Sequence, residues 1–429
     1  MTRWPKWPPR KFLGHMIGAP SAVLSVGVAI CAAYLGALSI AAVATLRRRQ
    51  SAPDTVRAHS LEPLEPKIFV IFVPAYNEAT VIERSIEAMM AMDYPKDRYS
   101  VHVVADNCTD STAALARSLG ATVHERTDAE RPGKGPALNW LFEQVDKSAT
   151  FDAVAVIDAD TVTDPGFLTA MSSAMALGAD VTQGRYDVIE TSASTAGGIR
   201  AAALASRHHL RPLGRNALGG SSGLYGNGMV FDRSILVERS WSGHLVEDAE
   251  FQNELLLDGM RVTYVPGARV FAEMPDTLDA STTQNERWEL GRLQVARRYV
   301  PRLLSLVATD RADLRVARLD AVADHLVPPL SVFVAANGLG GAGAFAAWFL
   351  RRSAVDRLAV TLSLASGAVF VGHVLVALRL AGAPKSTYRA LAAAPRAIIW
   401  KLGLWARVLV RPESVAWVRT ERNEPHHGL

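Results

Sequence analysis

Residues 21–46 form a run with no charged side chain. At about 1.5 Å of rise per residue, a helix of that length exceeds the ~30 Å hydrocarbon core of a bilayer. The run is too long for the core of a secretory signal, and no clear small-residue cleavage site follows it. The sequence therefore predicts an N-terminal transmembrane anchor over residues 1–50, with the span at about 21–46; a cleaved or interfacial segment is the alternative. Two more apolar runs, at about 326–350 and 358–378, predict a membrane region over residues 301–384. The first holds Pro328-Pro329 and several glycines, so its helix should start late or kink. Arg351, Arg352 and Arg357 lie in the connector, which a full crossing would place outside, against the positive-inside tendency.

Residues 385–429 read as an interfacial amphipathic helix and a tail. Between Tyr388 and Arg411 the apolar pattern is interrupted by Arg389, Arg396, Arg407 and Arg411. At about 100° per residue these four fall within about 60° of one another, as on a helix lying in the membrane surface. A fourth span is the alternative reading. Basic clusters beside the apolar runs, such as Arg47-Arg48-Arg49, suit anionic membrane lipids. The net charge of +4 is small for 429 residues and gives no basic stripe on the central part, so no nucleic acid is expected as a partner. Two cysteines, Cys31 and Cys108, cannot build a disulfide framework or a zinc site.

Between the apolar ends, a polar linker over 51–65 leads into a region, 66–300, in which short β-rich runs alternate with helical patterns. The predicted strands are Lys67–Ala75, Tyr99–Ala105, Ala121–Glu125 and Ala153–Ile157, with helices over Ala79–Met92, over Asp110–Leu119 and after Gly133. That alternation implies an α/β domain with a mostly parallel, doubly wound sheet. Ligands of such sheets bind at the carboxyl ends of the strands. The polar motifs fall there: Asn77-Glu78 after the first strand, Asp106 after the second, Asp158-Ala159-Asp160 after the fourth.

In Asp158-Ala159-Asp160 the two carboxylates share one side, because extended side chains alternate. Together with a diphosphate they could hold Mg²⁺ or Mn²⁺; a polar turn would read the same. Val73-Pro74-Ala75-Tyr76-Asn77-Glu78 ends a strand and opens a helix, which suits a nucleotide or an ordinary cap at Asn77. Lys134, between two glycines, could reach a phosphate or lie in a surface turn. Glu247-Asp248 precedes a helix and could supply a general base or a helix cap. Gln284, Arg287 and Trp288 share one helical face, where a guanidinium could bind phosphate and an indole a sugar ring; a membrane-surface helix is the alternative.

These motifs, in this order, resemble the membrane-integrated branch of glycosyltransferase family 2, of GT-A fold, which includes cellulose, chitin, hyaluronan and poly-N-acetylglucosamine synthases and ceramide glucosyltransferases. The resemblance implies an inverting, metal-dependent hexosyltransferase on the cytoplasmic face of a bacterial inner membrane. Its donor would be a nucleotide sugar, UDP-linked by resemblance, and its acceptor a polysaccharide or a lipid. Ala75, Tyr76, Glu78 and Asp106 would line the base and ribose pocket, and Lys134 would lie by the diphosphate. Asp158 would touch the donor, and Asp160, with Asp158, would hold the metal. Asp248 would be the base, with Glu247 beside it. Gln284, Arg287 and Trp288 would bind diphosphate and acceptor sugar, and Gly226 and Asn227 would line the acceptor path. The tail segment 417–422 resembles a gating segment. Three spans are few for a secretion channel, which leaves single-sugar transfer or channel-forming export partners. A catalytically inactive scaffold or transport subunit of a polysaccharide-export system is the runner-up.

Overall fold

A computed structural model describes residues 10–51, 65–189, 195–272 and 282–410. The chain opens with helix α1 (Arg10–Ser51) and continues through β1 (Phe69–Ala75), α2 (Ile82–Met90), β2 (Tyr99–Asp106), α3 (Thr112–Ser118), β3 (Thr122–Arg126), α4 (Lys134–Asp146), β4 (Ala153–Val156) and β5 (Thr161–Thr163). Then come α5 (Phe167–Ala176), β6 (Val181–Val188), α6 (Thr195–Leu204), a wide helical turn at Ala205–Leu210, α7 (Arg211–Ala217), β7 (Met229–Asp232), α8 (Arg233–Glu238), α9 (Glu247–Leu257) and β8 (Thr263–Ala272). The last part is helical: α10 (Thr282–Val307), α11 (Ala312–Leu326), α12 (Leu330–Arg351), α13 (Ala354–Ala381), α14 (Lys385–Ala390) and α15 (Ala394–Val410).

The strands make one eight-stranded sheet in the order β3-β2-β1-β4-β7-β6-β8-β5. The first four strands are parallel, with Val73 opposite Val103 and Phe72 opposite Val156. β7 is antiparallel to both β4 and β6, and β5 is antiparallel to β8. β6 and β8 are parallel, so four of the seven pairings are parallel and the mostly parallel expectation holds, with β7 and β5 as the reversed strands. An alternating apolar pattern is the same in either strand direction, so it carries no sign of the reversal. The reversal matters: β7 brings its first residues, not its last, to the edge where β4 ends.

Period-two alternation on β1 feeds two cores. Phe69, Ile71 and Val73 pack with Ile82, Ile86, Phe167 and Met171 of α2 and α5. Val70 and Phe72 face the other way, onto Leu138, Leu141 and Val145 of α4 and Phe251 and Leu255 of α9. Each such buried side chain contributes about 1.5–3 kcal/mol before the entropy of ordering it is subtracted.

Among the described residues, three helices are long and apolar enough to cross a membrane: Gly14–Arg48, Leu330–Arg351 and Ala354–Ala381. They pack through small residues. Ser25 Oγ lies 3.0 Å from Ser363 Oγ, and a Cβ on Gly340 would stand 3.1 Å from Ser25 Oγ. Small residues let apolar helices approach closely enough for backbone contact. α1 has 42 residues, so it is about 63 Å long, twice a bilayer core. Its second half is a docking surface for the segment 205–217. A side chain at Gly214 of α7 would collide with the Leu38 backbone, and Ala42 packs with Leu210 and Leu213. His373 of α13 bonds Ser39 Oγ at 2.8 Å and Ser206 Oγ at 2.7 Å, so it locks the same seam.

The connector arginines are not equivalent. Arg351 Nε donates to the fully buried Asp356 at 3.0 Å, which neutralises that charge. Arg352 closes α12 in the left-handed region (φ 56°), with its guanidinium over the Trp348 ring at 4.6 Å. The single helix expected over 388–411 is in fact two, separated by a tight turn at Leu391–Ala393. One arginine of its basic stripe is committed elsewhere: Arg407 Nε donates to Glu286 at 2.9 Å. Arg411 and the segment 417–422 lie outside the described residues, as does most of the linker.

Candidate active site

β1 ends at Ala75, and the chain then turns sharply through Asn77 in the left-handed region (φ 55°). Asn77 does not cap the following helix, which starts five residues later with Val81 as its cap. It ties the β1 loop to the β2 loop instead: its Oδ1 accepts from Thr109 N at 2.8 Å, and its amide donates to Cys108 Sγ at 3.3 Å. Glu78 is buried, with its amide on Thr112 Oγ1 at 2.8 Å, while Tyr76 is 37% exposed. Ala75, Tyr76 and Glu78 thus surround the end of β2.

Asp106, at that end, is held by a residue the sequence did not single out. Arg126 of β3 donates to it at 2.5 Å, with both side chains less than a tenth exposed. The same guanidinium reaches Asp128 at 2.8 Å, and Asn107 Nδ2 adds a bond to Asp106 at 3.1 Å. Arg126, Asp128, Arg131 and Trp140 line an open pocket beside this pair. Its partner could be found only from the β2–β3 register, which sets Asp106 opposite Arg126.

Lys134 starts α4 after Gly133, whose φ of 114° favours glycine. Gly135 is no surface residue, since any side chain there would strike the Ser242 carbonyl. The lysine ammonium donates to Asp158 and to the Gly226 carbonyl, so three separate motifs meet at one nitrogen. Burial works against its charge, but Asp158, Glu247 and Asp248 outweigh this and hold its pKa above the ordinary lysine value.

Gly226 and Gly228 both have positive φ, at 74° and 66°, and bend the approach to β7 around Asn227. Asn227 is fully buried. Its Oδ1 accepts from Asp158 N at 3.2 Å, and its Nδ2 donates to Thr161 Oγ1 at 2.8 Å. Gln183 of β6 holds this turn from behind, through bonds to Asn227 O at 2.8 Å and from Tyr225 N at 3.0 Å.

Glu247 and Asp248 occupy the first turn of α9, where the cap is the backbone of Val246. Asp248 Oδ1 accepts from Ala249 N at 2.7 Å, and Oδ2 faces Gly226, where a Cβ would stand 3.4 Å away. Burial, then the neighbouring Asp248, pushes Glu247 up to about 7, and burial likewise raises Asp248. Arg287, half-buried on α10, closes the group. Burial holds its pKa below the ordinary arginine value, Glu247, Asp248 and Asp158 offset this only in part, and its Nε has no hydrogen-bond partner among the described residues. Gln284 and Trp288 share its helix face, half-buried.

The opposite face of α10 is fastened to α15. Lys401 donates to Asn285 at 2.6 Å and pairs with Glu289 at 2.9 Å, Arg407 pairs with Glu286, and Leu290 packs with Leu404 and Val408. Arg287 is therefore carried between the α/β domain and the helix expected at the membrane surface.

Asp160 stands at the β4–β5 turn, with Thr161 Oγ1 on its Oδ1 at 3.2 Å. Among the described residues no three His, Cys, Asp or Glu side chains gather closely enough to hold a metal by themselves. Two carboxylates, Asp158 and Asp160, are oxygen donors that suit Mg²⁺ or Mn²⁺ only if further oxygens come from a bound ligand. The donor set fits a shared site completed by a diphosphate.

A family model described as glycosyltransferase like family 2 matches residues 66–291. The poly-beta-1,6-N-acetyl-D-glucosamine synthase of Staphylococcus aureus is 27% identical over 248 residues, covering 55% of this chain and 57% of its own. The cellulose synthase catalytic subunit [UDP-forming] of Pseudomonas fluorescens is 34% identical over 108 residues, covering 25% of this chain and 14% of its own. Over the broader matches the chain spans 49% to 59% of its relatives' length. Among solved structures, the mannosyltransferase PcManGT from Pyrobaculum calidifontis, in complex with GDP-Man and Mn²⁺, is similar at 17% identity and a TM-score of 0.49, with 83% of this chain and 99% of that one covered.

Proposed function

Because the chain belongs to glycosyltransferase family 2, and its mixed eight-stranded sheet is of GT-A type, we propose that it transfers a sugar from a nucleotide-sugar donor to a glycan or lipid acceptor at the cytoplasmic face of a membrane. The observation that carries this reading is the meeting of Lys134, Asp158, Glu247, Asp248 and Arg287 at one edge of the sheet. Cations there suit a departing diphosphate, and a carboxylate of raised pKa suits a base.

The proposed reaction is a single displacement with inversion. Asp248 takes the proton of an acceptor hydroxyl through Oδ2, the oxygen not bonded to its own helix. The acceptor oxygen bonds the anomeric carbon, and the bond from that carbon to the diphosphate breaks. Lys134 and Arg287 receive the negative charge of the leaving group, and Glu247 keeps Asp248 basic by sharing its site. A divalent cation held by Asp158 and Asp160 with the diphosphate would supply further charge neutralisation. Ala75, Tyr76, Glu78 and the Asp106–Arg126 pair would seat the nucleotide, UDP by analogy with the UDP-forming relative. Gln284, Trp288 and Gly226 would face the acceptor, with Asn227, fully buried, holding the turn behind Gly226.

The three long apolar helices would cross the bilayer, with the catalytic domain on the side of Arg47 and Arg48. Single-sugar transfer and a channel shared with export partners would both fit the three such helices among the described residues. The test is to incubate detergent-purified protein with UDP- and GDP-sugars and Mn²⁺, measure nucleoside diphosphate release, and size the products. Release with one donor supports a transferase. Donor binding with no release under any acceptor condition would favour an inactive scaffold.

A further inference from the structure

We propose that Arg207, Arg211 and Arg292 form a second anion site, on the membrane side of Asp248, that holds the phosphate of a lipid-linked acceptor. The inference rests on the transferase reading and narrows its acceptor class.

The first ground is an excess of cations, two of them buried and three half-buried. Arg211 and Arg215 of α7, Arg292 of α10 and Lys401 of α15 gather around Arg207 of the wide helical turn, with Asp320 and Asp324 of α11 and Glu289 as the anions. Arg215 takes Asp320 at 2.8 Å and Asp324 at 3.4 Å, Arg211 also takes Asp324, and Lys401 takes Glu289 at 2.9 Å. Arg292 is left with Glu289 at 3.9 Å and the Val327 carbonyl at 3.3 Å. Five cations thus share three carboxylates. Loss of water, then Arg207 beside it, pulls Arg292 down to about 10. Such a charge is relieved by an anion.

The second ground is unmet hydrogen bonding. Arg211 Nε and Arg215 Nη2 have no acceptor among the described residues, although both side chains are more than nine-tenths buried. A buried donor without an acceptor costs about 1–3 kcal/mol, which a phosphate oxygen would offset. The cluster is not sealed, since the Asp324 side chain is 28% exposed and that of Arg292 21%.

The third ground is position. Asp320 accepts from Tyr34 of α1 at 2.8 Å, and Arg292 reaches Val327, three residues before α12 begins. Phe333, in the first turn of α12, packs on Val28 and Ala32 of α1, so the apolar helix pack starts directly below the cluster. In the other direction, Arg207 acts on Asp248 and Asn253 of α9 meets His325 of α11 at 3.0 Å. A phosphate here would sit at headgroup level, its chain along the apolar helices and its terminal oxygen toward the base. Arginine forks suit that geometry.

The test uses the full chain in nanodiscs of neutral lipid. Binding of phytanyl phosphate, phytanol and inorganic phosphate is measured by native mass spectrometry, and binding of UDP with Mn²⁺ by calorimetry. Phytanyl phosphate should bind at least tenfold tighter than either control. Arg292→Gln should lose at least tenfold of that affinity, and Arg292→Lys less, with UDP affinity within twofold of the parent and melting temperature unchanged. Equal binding of phytanyl phosphate and phytanol, or unaltered binding in Arg292→Gln, would overturn the site. Inorganic phosphate binding as tightly as phytanyl phosphate would overturn the lipid source. Failure of UDP to bind the parent protein would count against the transferase reading instead.

Discussion

The backbone amide of Asp158 donates to the side chain of Asn227, 69 residues later, at 3.2 Å. That bond joins the end of β4 to the start of the reversed β7, so the donor motif and the turn facing Asp248 move as one piece. Lys134, bonded to Asp158 and to Gly226, completes the triangle. Four consequences can be measured.

Asp248→Asn keeps the shape and the bond to Ala249 N but removes the base. Turnover should fall by about 10²–10⁴, with donor affinity within about threefold of the parent. Calorimetry and nucleoside diphosphate release separate the two quantities. A variant retaining full turnover would remove Asp248 from the mechanism.

Burial raises both carboxylates of the Glu247–Asp248 pair. A base must be ionised, so activity is lost as pH falls through a raised pKa. The acid limb of kcat/KM should therefore lie above the ~4 of an ordinary carboxyl, the direction in which burial moves Asp248. Glu247→Gln removes the like charge and should move the limb to lower pH. A limb that stays in place would show that the two groups do not titrate together.

Asp160→Ala should weaken the Mn²⁺-dependent part of nucleotide binding, because Asp158 alone leaves too few oxygens for a shared cation. Calorimetry of UDP with and without Mn²⁺ reads the difference. Chelation should reduce the parent to the level of the variant.

Arg126→Met leaves Asp106 buried without its cation. Breaking a buried pair in this way costs about 3–5 kcal/mol, seen as a lower melting temperature. Adding Asp106→Asn should recover much of it, while nucleotide binding stays impaired. Equal melting temperatures for parent and Arg126→Met would show that the pair does not support the fold.

Much of the site was legible because its pieces are local. Asn77-Glu78, Lys134 between glycines, Asp158-Ala159-Asp160 and Glu247-Asp248 each sit at a strand end or helix start that short-range pattern can locate. What was not legible is pairing. Nothing in Asp106 points to Arg126, and Arg407 looked like one more membrane-facing cation until Glu286 appeared opposite it. Asn77 reads as a cap, yet it bridges two loops.

The sequence by itself determined that long apolar runs flank an α/β domain and that polar motifs fall at its strand ends, because hydrophobic length and periodicity act over a few residues. Only the tertiary structure decided that β7 is reversed, that half of α1 carries the segment 205–217, and that five cations of the 205–210 turn, α7, α10 and α15 share three carboxylates of α10 and α11. Those features depend on which side chains meet across hundreds of residues, and charge pairing at such separations leaves no period in the chain to read.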